Sequence, residues 1–284
     1  MSTNVESAMN RRTFLAALAG TPALAVLVAA CGDDSKRTFT SIPSGPQDVV
    51  IKITNEGGFV PAGFAFVNLP SLLISGAGRV FTPGAQIEIY PGPLLPAITE
   101  RSITDEGIRK VLQLADDAGL LGAPLDYSLP DGIGITDAPD TVVVINVNGK
   151  VYEHRANALG FDMPDGGTST AERDNLNTFV TLISNIAEVA GTKNVGEEQA
   201  FLAEQYRFQS LAVDPSQWTD PSPTIVPWPQ SIGAVLSESL QCATVDAGAV
   251  DDLFITATQL TFFEEADITY QLYAVGVLPG DATC

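Results

Sequence analysis

The 284-residue sequence predicts an α+β fold in which mostly antiparallel sheets carry three covering helices. Three observations lead there. Short runs alternate apolar and polar residues and stop at glycine or proline turns, as strands joined in hairpins do. Three longer segments repeat apolar residues at helical spacing behind capping residues. The order strand, helix, hairpin occurs around 86–155 and again around 206–277, which fits two similar halves, each a sheet covered by a helix.

The elements follow in chain order. Val49, Ile51 and Ile53 alternate with Val50, Lys52 and Thr54, and Glu56-Gly57-Gly58 ends that strand. Ser71–Ser75, Gly76-Ala77-Gly78 and Arg79-Val80-Phe81 form a hairpin with a glycine-rich turn. Gln86–Tyr90 alternates again, and Pro91, Pro93 and Pro96 close it at a sheet edge or bend. Thr104 caps the first helix, with Asp105 and Glu106 in the turn where the helix dipole favours anions and Gly119 at its end. Thr141–Val147 is the strongest strand, and Asn148-Gly149 calls for a type I′ turn back through Tyr152 to His154. Ser169 and Glu172 have capping-box spacing and open a second helix along Leu176, Phe179, Val180, Ile183, Ala187 and Ala190. Tyr206–Val213 is a strand, Asp214–Gln230 a proline-rich loop with Trp218 and Trp228, and Asp246–Ala257 the third helix. Leu260–Phe263 and Ile268–Val277 make the final hairpin.

Ahead of the folded part, Asn10-Arg11-Arg12-Thr13-Phe14-Leu15 opens an apolar run that ends Val28-Ala29-Ala30-Cys31. The run from Phe14 to Ala30 is shorter than the ~20 residues of a spanning helix and holds Gly20 and Pro22, so it reads as a secretory signal. Arg11, Arg12, Phe14 and Leu15 look like the twin-arginine type, although Asn10 stands where Ser or Thr is commoner. Val28–Cys31 resembles a lipobox, which implies cleavage before Cys31 and diacylation of its thiol; two acyl chains anchor stably where one does not. The expected organisation is a twin-arginine signal peptide over 1–30, a lipidated polar tether over 31–47, and α+β halves over 48–160 and 161–284.

Composition narrows the partners. Acidic residues number 34 against 14 basic ones, a net charge of −20, which repels nucleic acid. Besides Cys31 the cysteines are Cys242 and Cys284, and outside the cytoplasm such a pair predicts a disulfide. With His154 as the one histidine, no metal or cofactor site is expected. The crowding of Asp131, Asp137 and Asp140 lacks EF-hand spacing and reads as solvated turn acids. No nucleophile elbow, zincin motif or phosphate-binding loop occurs. Glu88 and Glu100 flank the proline turn and are the one carboxylate pair that suggests hydrolysis, which needs ~5–9.5 Å between the two groups.

The export signal with its lipobox, Gly57-Gly58-Phe59-Val60-Pro61, Gln86-Ile87-Glu88-Ile89-Tyr90-Pro91-Gly92-Pro93, and Leu278-Pro279-Gly280 with Cys284 together resemble an uncharacterised family of secreted lipoproteins from high-G+C Gram-positive bacteria. That resemblance covers most of the mature chain and implies location, not activity. Residues 72–155 are more weakly similar to emfourin-type inhibitors of thermolysin-like metalloproteases, in their helix-then-hairpin order.

The sequence thus leads to an expectation of a lipid-anchored extracytoplasmic binding or interaction module without catalysis. Trp218 and Trp228 are its contact residues, and its partners are the bilayer through Cys31 and an envelope protein or glycan. The alternatives are an emfourin-type inhibitor and a carboxylate glycoside hydrolase. Cys31→Ser is expected to move the protein from the membrane to the soluble fraction on cell fractionation; full retention would point to a spanning helix.

Overall fold

The computed structural model describes residues 37–284 except 62, 130–134, 162–168, 219–220 and 283. Arg11, Arg12, Phe14, Leu15 and Cys31 lie outside the described residues, as do the signal and the start of the tether.

The chain runs β1 (Val49–Glu56), α1 (Phe64–Val67), β2 (Leu72–Ser75), β3 (Arg79–Pro83), β4 (Ile98–Ser102), α2 (Asp105–Asp117), β5 (Asp140–Val147) and β6 (Lys150–Asn157). It continues through α3 (Ala171–Ile183), α4 (Ile186–Ala190), β7 (Gln199–Ala200), β8 (Gln205–Ala212), β9 (Thr224–Pro227), β10 (Ala243–Asp246), α5 (Ala247–Phe254), β11 (Thr261–Glu265) and β12 (Ile268–Gly276). A seven-stranded antiparallel sheet has the order β6-β5-β1-β2-β3-β4-β7, and a five-stranded sheet has the order β10-β8-β12-β11-β9. In the smaller sheet only β9 and β11 pair in parallel. The fold is α+β.

Local chemistry explains the elements that were legible. Asn148 and Gly149 both take positive φ, 54° and 68°, as a type I′ turn requires. The Thr104 hydroxyl accepts from the Gly107 amide at 3.2 Å and donates to Asn194 Oδ1 at 3.1 Å, capping α2 and tying it to the end of α4. Gly107 lets the two helices meet: a Cβ there would stand 2.8 Å from Ile103 Cγ1 and 3.3 Å from Ala190 Cβ.

Other expectations are corrected. Gln86–Tyr90 is no strand but an exposed loop, because no neighbour offers it a ladder. The second helix starts one residue later than its capping box, with Thr170 accepting from Arg173 N at 3.3 Å. It also breaks in two. Ser184 bonds back to the Thr181 carbonyl at 2.7 Å and Asn185 leaves helical geometry, so Ala187 and Ala190 belong to a separate short helix. With the single turn α1, five helices stand among the described residues where three were expected. The tether is not free from residue 37 onward. Phe39 is buried in the larger core, Arg109 Nη1 donates to the Phe39 carbonyl at 2.6 Å, and Asn148 Oδ1 accepts from the Thr40 and Ser41 amides at 2.9 and 3.1 Å. A polar strap over 37–47 is thereby fixed to the domain.

The division at residue 160 does not follow the cores. α3 and α4 come after it, yet Leu176, Phe179, Ile183 and Ile186 fill the core over the larger sheet together with Ile108, Val111 and Leu112 of α2. The second core joins Phe208, Leu272 and Phe263 to α5 through Val250 and Phe254, and includes Leu94 from the proline segment. A third cluster, Leu73, Phe81, Ile98, Val275 and Leu278, lies between the sheets. The strand orders also differ, so the likeness of the halves is confined to element order.

A buried polar hub closes the larger core. The His154 ring bonds the Leu120 carbonyl through Nε2 at 2.9 Å and the Tyr127 hydroxyl through Nδ1 at 2.8 Å. A carbonyl only accepts, so Nε2 carries the proton and Nδ1 accepts from the phenol. Burial holds the His154 pKa down against the pull of the Leu120 carbonyl and Glu153, and burial, aided by Glu172, pushes Tyr127 up to about 12. His154 is therefore neutral when folded, and the unfolded chain takes up its proton first as pH falls. Its contribution to stability is full above the unfolded value of about 6.5 and declines below it. His154→Gln keeps one donor and one acceptor but does not titrate. Thermal midpoints at pH 7.5 and 5.5 are expected to differ more for the wild type than for this variant; equal losses would remove His154 as the cause.

Candidate functional site

The strongest concave surface lies on the face of the smaller sheet opposite α5. Strand alternation sets it up. Tyr270, Leu272 and Ala274 of β12 enter the second core, so Gln271 and Tyr273 point to the other side and remain half-buried. Phe64 of α1, Tyr90 from the loop after β3, and Trp218 from the loop between β8 and β9 join them around a groove of about 450 Å3. Tyr90 is 68% exposed and Phe64 47%, unusual values for rings of that size. Trp218 is half-buried, its ring edge-on to Phe262 with centroids 5.1 Å apart. Gly63, at φ 75°, precedes Phe64 with the Tyr273 ring directly against it, and any Cβ there would overlap that ring.

The polar groups are few and partly committed. Tyr273 donates its hydroxyl to Gln271 Oε1 at 3.2 Å, and burial raises the Tyr273 pKa, which keeps it a phenol. Gln271 Nε2 donates to the Gln259 carbonyl at 3.3 Å, and Gln259 Oε1 accepts from the Gly92 amide at 3.4 Å. Among the described residues neither Gln259 Nε2 nor Trp218 Nε1 has an acceptor. Among the described residues no charged side chain lines the groove. Such a surface is built to bury an apolar or weakly polar group against rings and to orient it with two N–H donors.

Known proteins offer no shortcut. No protein family, curated protein or solved structure matches this chain. What the groove does has to come from its own residues.

The structure separates the two tryptophans. Trp218 reaches the groove. Trp228 does not: it is 5% exposed, packs on Phe208 and Phe263, and donates its indole N–H to the Ala234 carbonyl at 2.8 Å. It is a core residue under the proline loop, which corrects its place among the contact residues. Phe64, Tyr90, Tyr273 and Gln259 were not singled out from sequence, since four separate segments supply the groove. The alternation of Ile87 and Ile89 beside Tyr90 was the available signal, because an alternating apolar run that finds no sheet leaves its side chains exposed.

The remaining sites resolve as follows. Cys242 and Cys284 lie at disulfide distance, Cα atoms 5.3 Å apart. His154 is buried and occupied on both nitrogens, closed to a substrate. Glu100 on β4 pairs with Arg79 and accepts from Gln199 at 3.0 Å, while Glu88 stands exposed on the loop. Asp140 bonds Arg155 and Asn157, Asp131 lies outside the described residues, and no group of three His, Cys, Asp or Glu among the described residues could hold a metal ion.

A second cavity of about 490 Å3 lies beside Phe201 and Leu202, but its Tyr206 hydroxyl is already spent on Asp251 at 2.9 Å. The aromatic groove is the better site. Collisional quenching of tryptophan emission checks its access: Trp228→Phe, which retains Trp218, is expected to be readily quenched by acrylamide and Trp218→Phe to be protected. The reverse order would place Trp218 in the interior and remove the groove.

Proposed function

We propose that the chain is a lipoprotein exported through its twin-arginine signal, anchored on the extracytoplasmic face of the cell membrane by acylated Cys31, and acting as a binding module through the aromatic groove. The observation that carries the binding part is the exposure of Tyr90 and Phe64 beside Trp218 in one concavity, since covering such rings dominates binding energies. Among the described residues no helix is long and apolar enough to cross a membrane. The inhibitor reading has less support. Within 72–155, α2 does lead to the β5–β6 hairpin, but that hairpin reaches β2 only through β1 and lies under α3, both outside the segment.

The strap supports an orientation. It is fixed beside the Asn148 turn, at the end of the larger sheet where β1 begins, and Gly280 touches Val49 at the same end. The groove residues lie beyond the other end of β1 or back along β12, and eight residues of strand span about 26 Å. Residues 31–36 reach at most about 20 Å at full extension. An acyl chain on Cys31 would then hold the strap end toward the bilayer and leave the groove facing outward.

A ligand that binds only the folded state raises the unfolding midpoint. Fractionated cell-envelope extract is expected to raise the midpoint of the detergent-solubilised lipoprotein, and Tyr90→Ala is expected to abolish the shift. A shift kept in Tyr90→Ala would move the site elsewhere, and the absence of any shift would overturn the binding reading.

A further inference from the structure

The lining of the groove also narrows what it takes. We propose that its ligand is a small quaternary ammonium cation carrying an oxygen acceptor, a choline-type compound; this rests on the reading of the groove as the binding site.

Charge excludes two classes first. An anion would need a lysine, an arginine or a backbone nest, and among the described residues no cationic side chain lines the groove of a protein whose net charge is −20. A primary amine is strongly hydrated and needs acceptors for its three N–H donors, ordinarily a carboxylate, and among the described residues no Asp or Glu lines the groove. A quaternary ammonium has neither requirement. It carries a permanent charge, donates no hydrogen bond and has an apolar methyl surface, so ring faces suffice to hold it.

The rings suit that task. Phe64, Tyr90, Trp218 and Tyr273 come from four segments and none is stacked on another; one face of Tyr273 is taken by Gly63, and the other three rings are not packed on one another. Trp is the strongest of the cation-binding rings, and Tyr90 and Phe64 are the most open. The negative field of the whole molecule concentrates cations near its surface without any local carboxylate, and exposed Glu88 lies two residues from Tyr90. At the polar edge Gln259 Nε2 and Trp218 Nε1 present N–H donors with no acceptor among the described residues. These match an oxygen on the ligand.

The test isolates the positive charge. Choline, its neutral carbon isostere 3,3-dimethylbutan-1-ol, and ethanolamine are titrated into the detergent-solubilised lipoprotein, with Trp218 emission and the unfolding midpoint as two readouts. Choline is expected to saturate both signals and to bind about tenfold more tightly than the isostere, the size of a desolvated cation–π contact, and more tightly than ethanolamine. Tyr90→Ala, a change at an exposed ring that leaves the far-ultraviolet circular dichroism unchanged, is expected to weaken choline about tenfold. Equal binding of choline and the isostere would overturn the ammonium class while leaving the groove as a site for apolar ligands. Choline binding unaffected by Tyr90→Ala would overturn the assignment to this groove. No response to any of the three would overturn the class, and the envelope-extract shift then decides separately whether the groove binds at all.

Discussion

The larger half of the molecule depends on one buried guanidinium. Arg173, in the first turn of α3, is 2% exposed and forms no ion pair among the described residues, although neighbouring Asp174 acts on it through space. Its Nη1 donates to the Tyr127 carbonyl at 2.6 Å, and its Nη2 to the carbonyls of Asn157 and Ala158 at 2.8 and 3.2 Å. Three pieces of chain that share no ladder are joined in this way: the loop after α2, the end of β6 and the start of α3. Burial pushes the Arg173 pKa down, but arginine is too basic to lose its proton, so the charge is held by carbonyl dipoles. A replacement without those donors leaves carbonyls unmet in the interior at about 1–3 kcal/mol each, and a lysine has no planar fork to span them. The His154–Tyr127–Leu120 chain lies next to it and shares Tyr127, so the two sets of bonds fix the same loop from both its side chain and its backbone. Helices α3 and α4 are therefore held on the larger sheet, whatever the sequence distance suggests.

The smaller sheet is attached by different means. Leu278 and Val275 meet Leu73 and Phe81 between the sheets, and Asp281 stands between Lys52 of β1 and Arg207 of β8, at 3.8 and 3.5 Å. The Asp281 carboxylate also accepts from the Leu278 amide at 3.0 Å, which turns the chain just after β12. From the other side, the proline segment crosses over, with Leu94 donating to the Ala257 carbonyl at 3.0 Å and Gln259 to the Gly92 carbonyl at 2.9 Å. Proline suits a crossing of this kind, since it fixes φ and has no N–H that needs an acceptor. One consequence is that Tyr90, immediately before this crossing, is delivered to the mouth of the groove.

The parts of this fold that sequence made legible are those whose physics is local. The Asn148-Gly149 turn and the Thr104 cap each depend on residues within a few positions, and each stands where it was expected. The misreadings all concern partners at a distance. Gln86–Tyr90 has the alternation of a strand, but alternation measures fitness for a ladder and not the presence of a neighbour. Trp218 and Trp228 share a proline-rich loop, and what separates them is that β9 runs parallel to β11 and carries Trp228 inward. The strap looked like a tether because its composition is polar, while its anchoring uses one inserted ring, Phe39, and backbone amides that composition does not report. Arg173 gave no signal at all, because its partners are carbonyls, and every residue has one.

The groove belongs to this second, non-local kind of structure, which explains both its composition and its visibility. A sheet covered on one face by α5 has to do something with the other. Along β12 that other face begins at the junction with the larger sheet, where Val275 is covered, and ends near Gln271, where α1 and the Trp218 loop provide only part of a roof. A fold seeking only stability would close that gap, as the core against α5 is closed by rings packed on one another. Here the gap is lined with large flat rings and amides, residues that hold an apolar surface open while keeping a polar group at its edge. The Gly63 backbone, at a positive φ that glycine adopts freely, packs against the Tyr273 ring and forms one wall of the gap. A wall made of backbone is expected of a site whose shape is set before its ligand arrives.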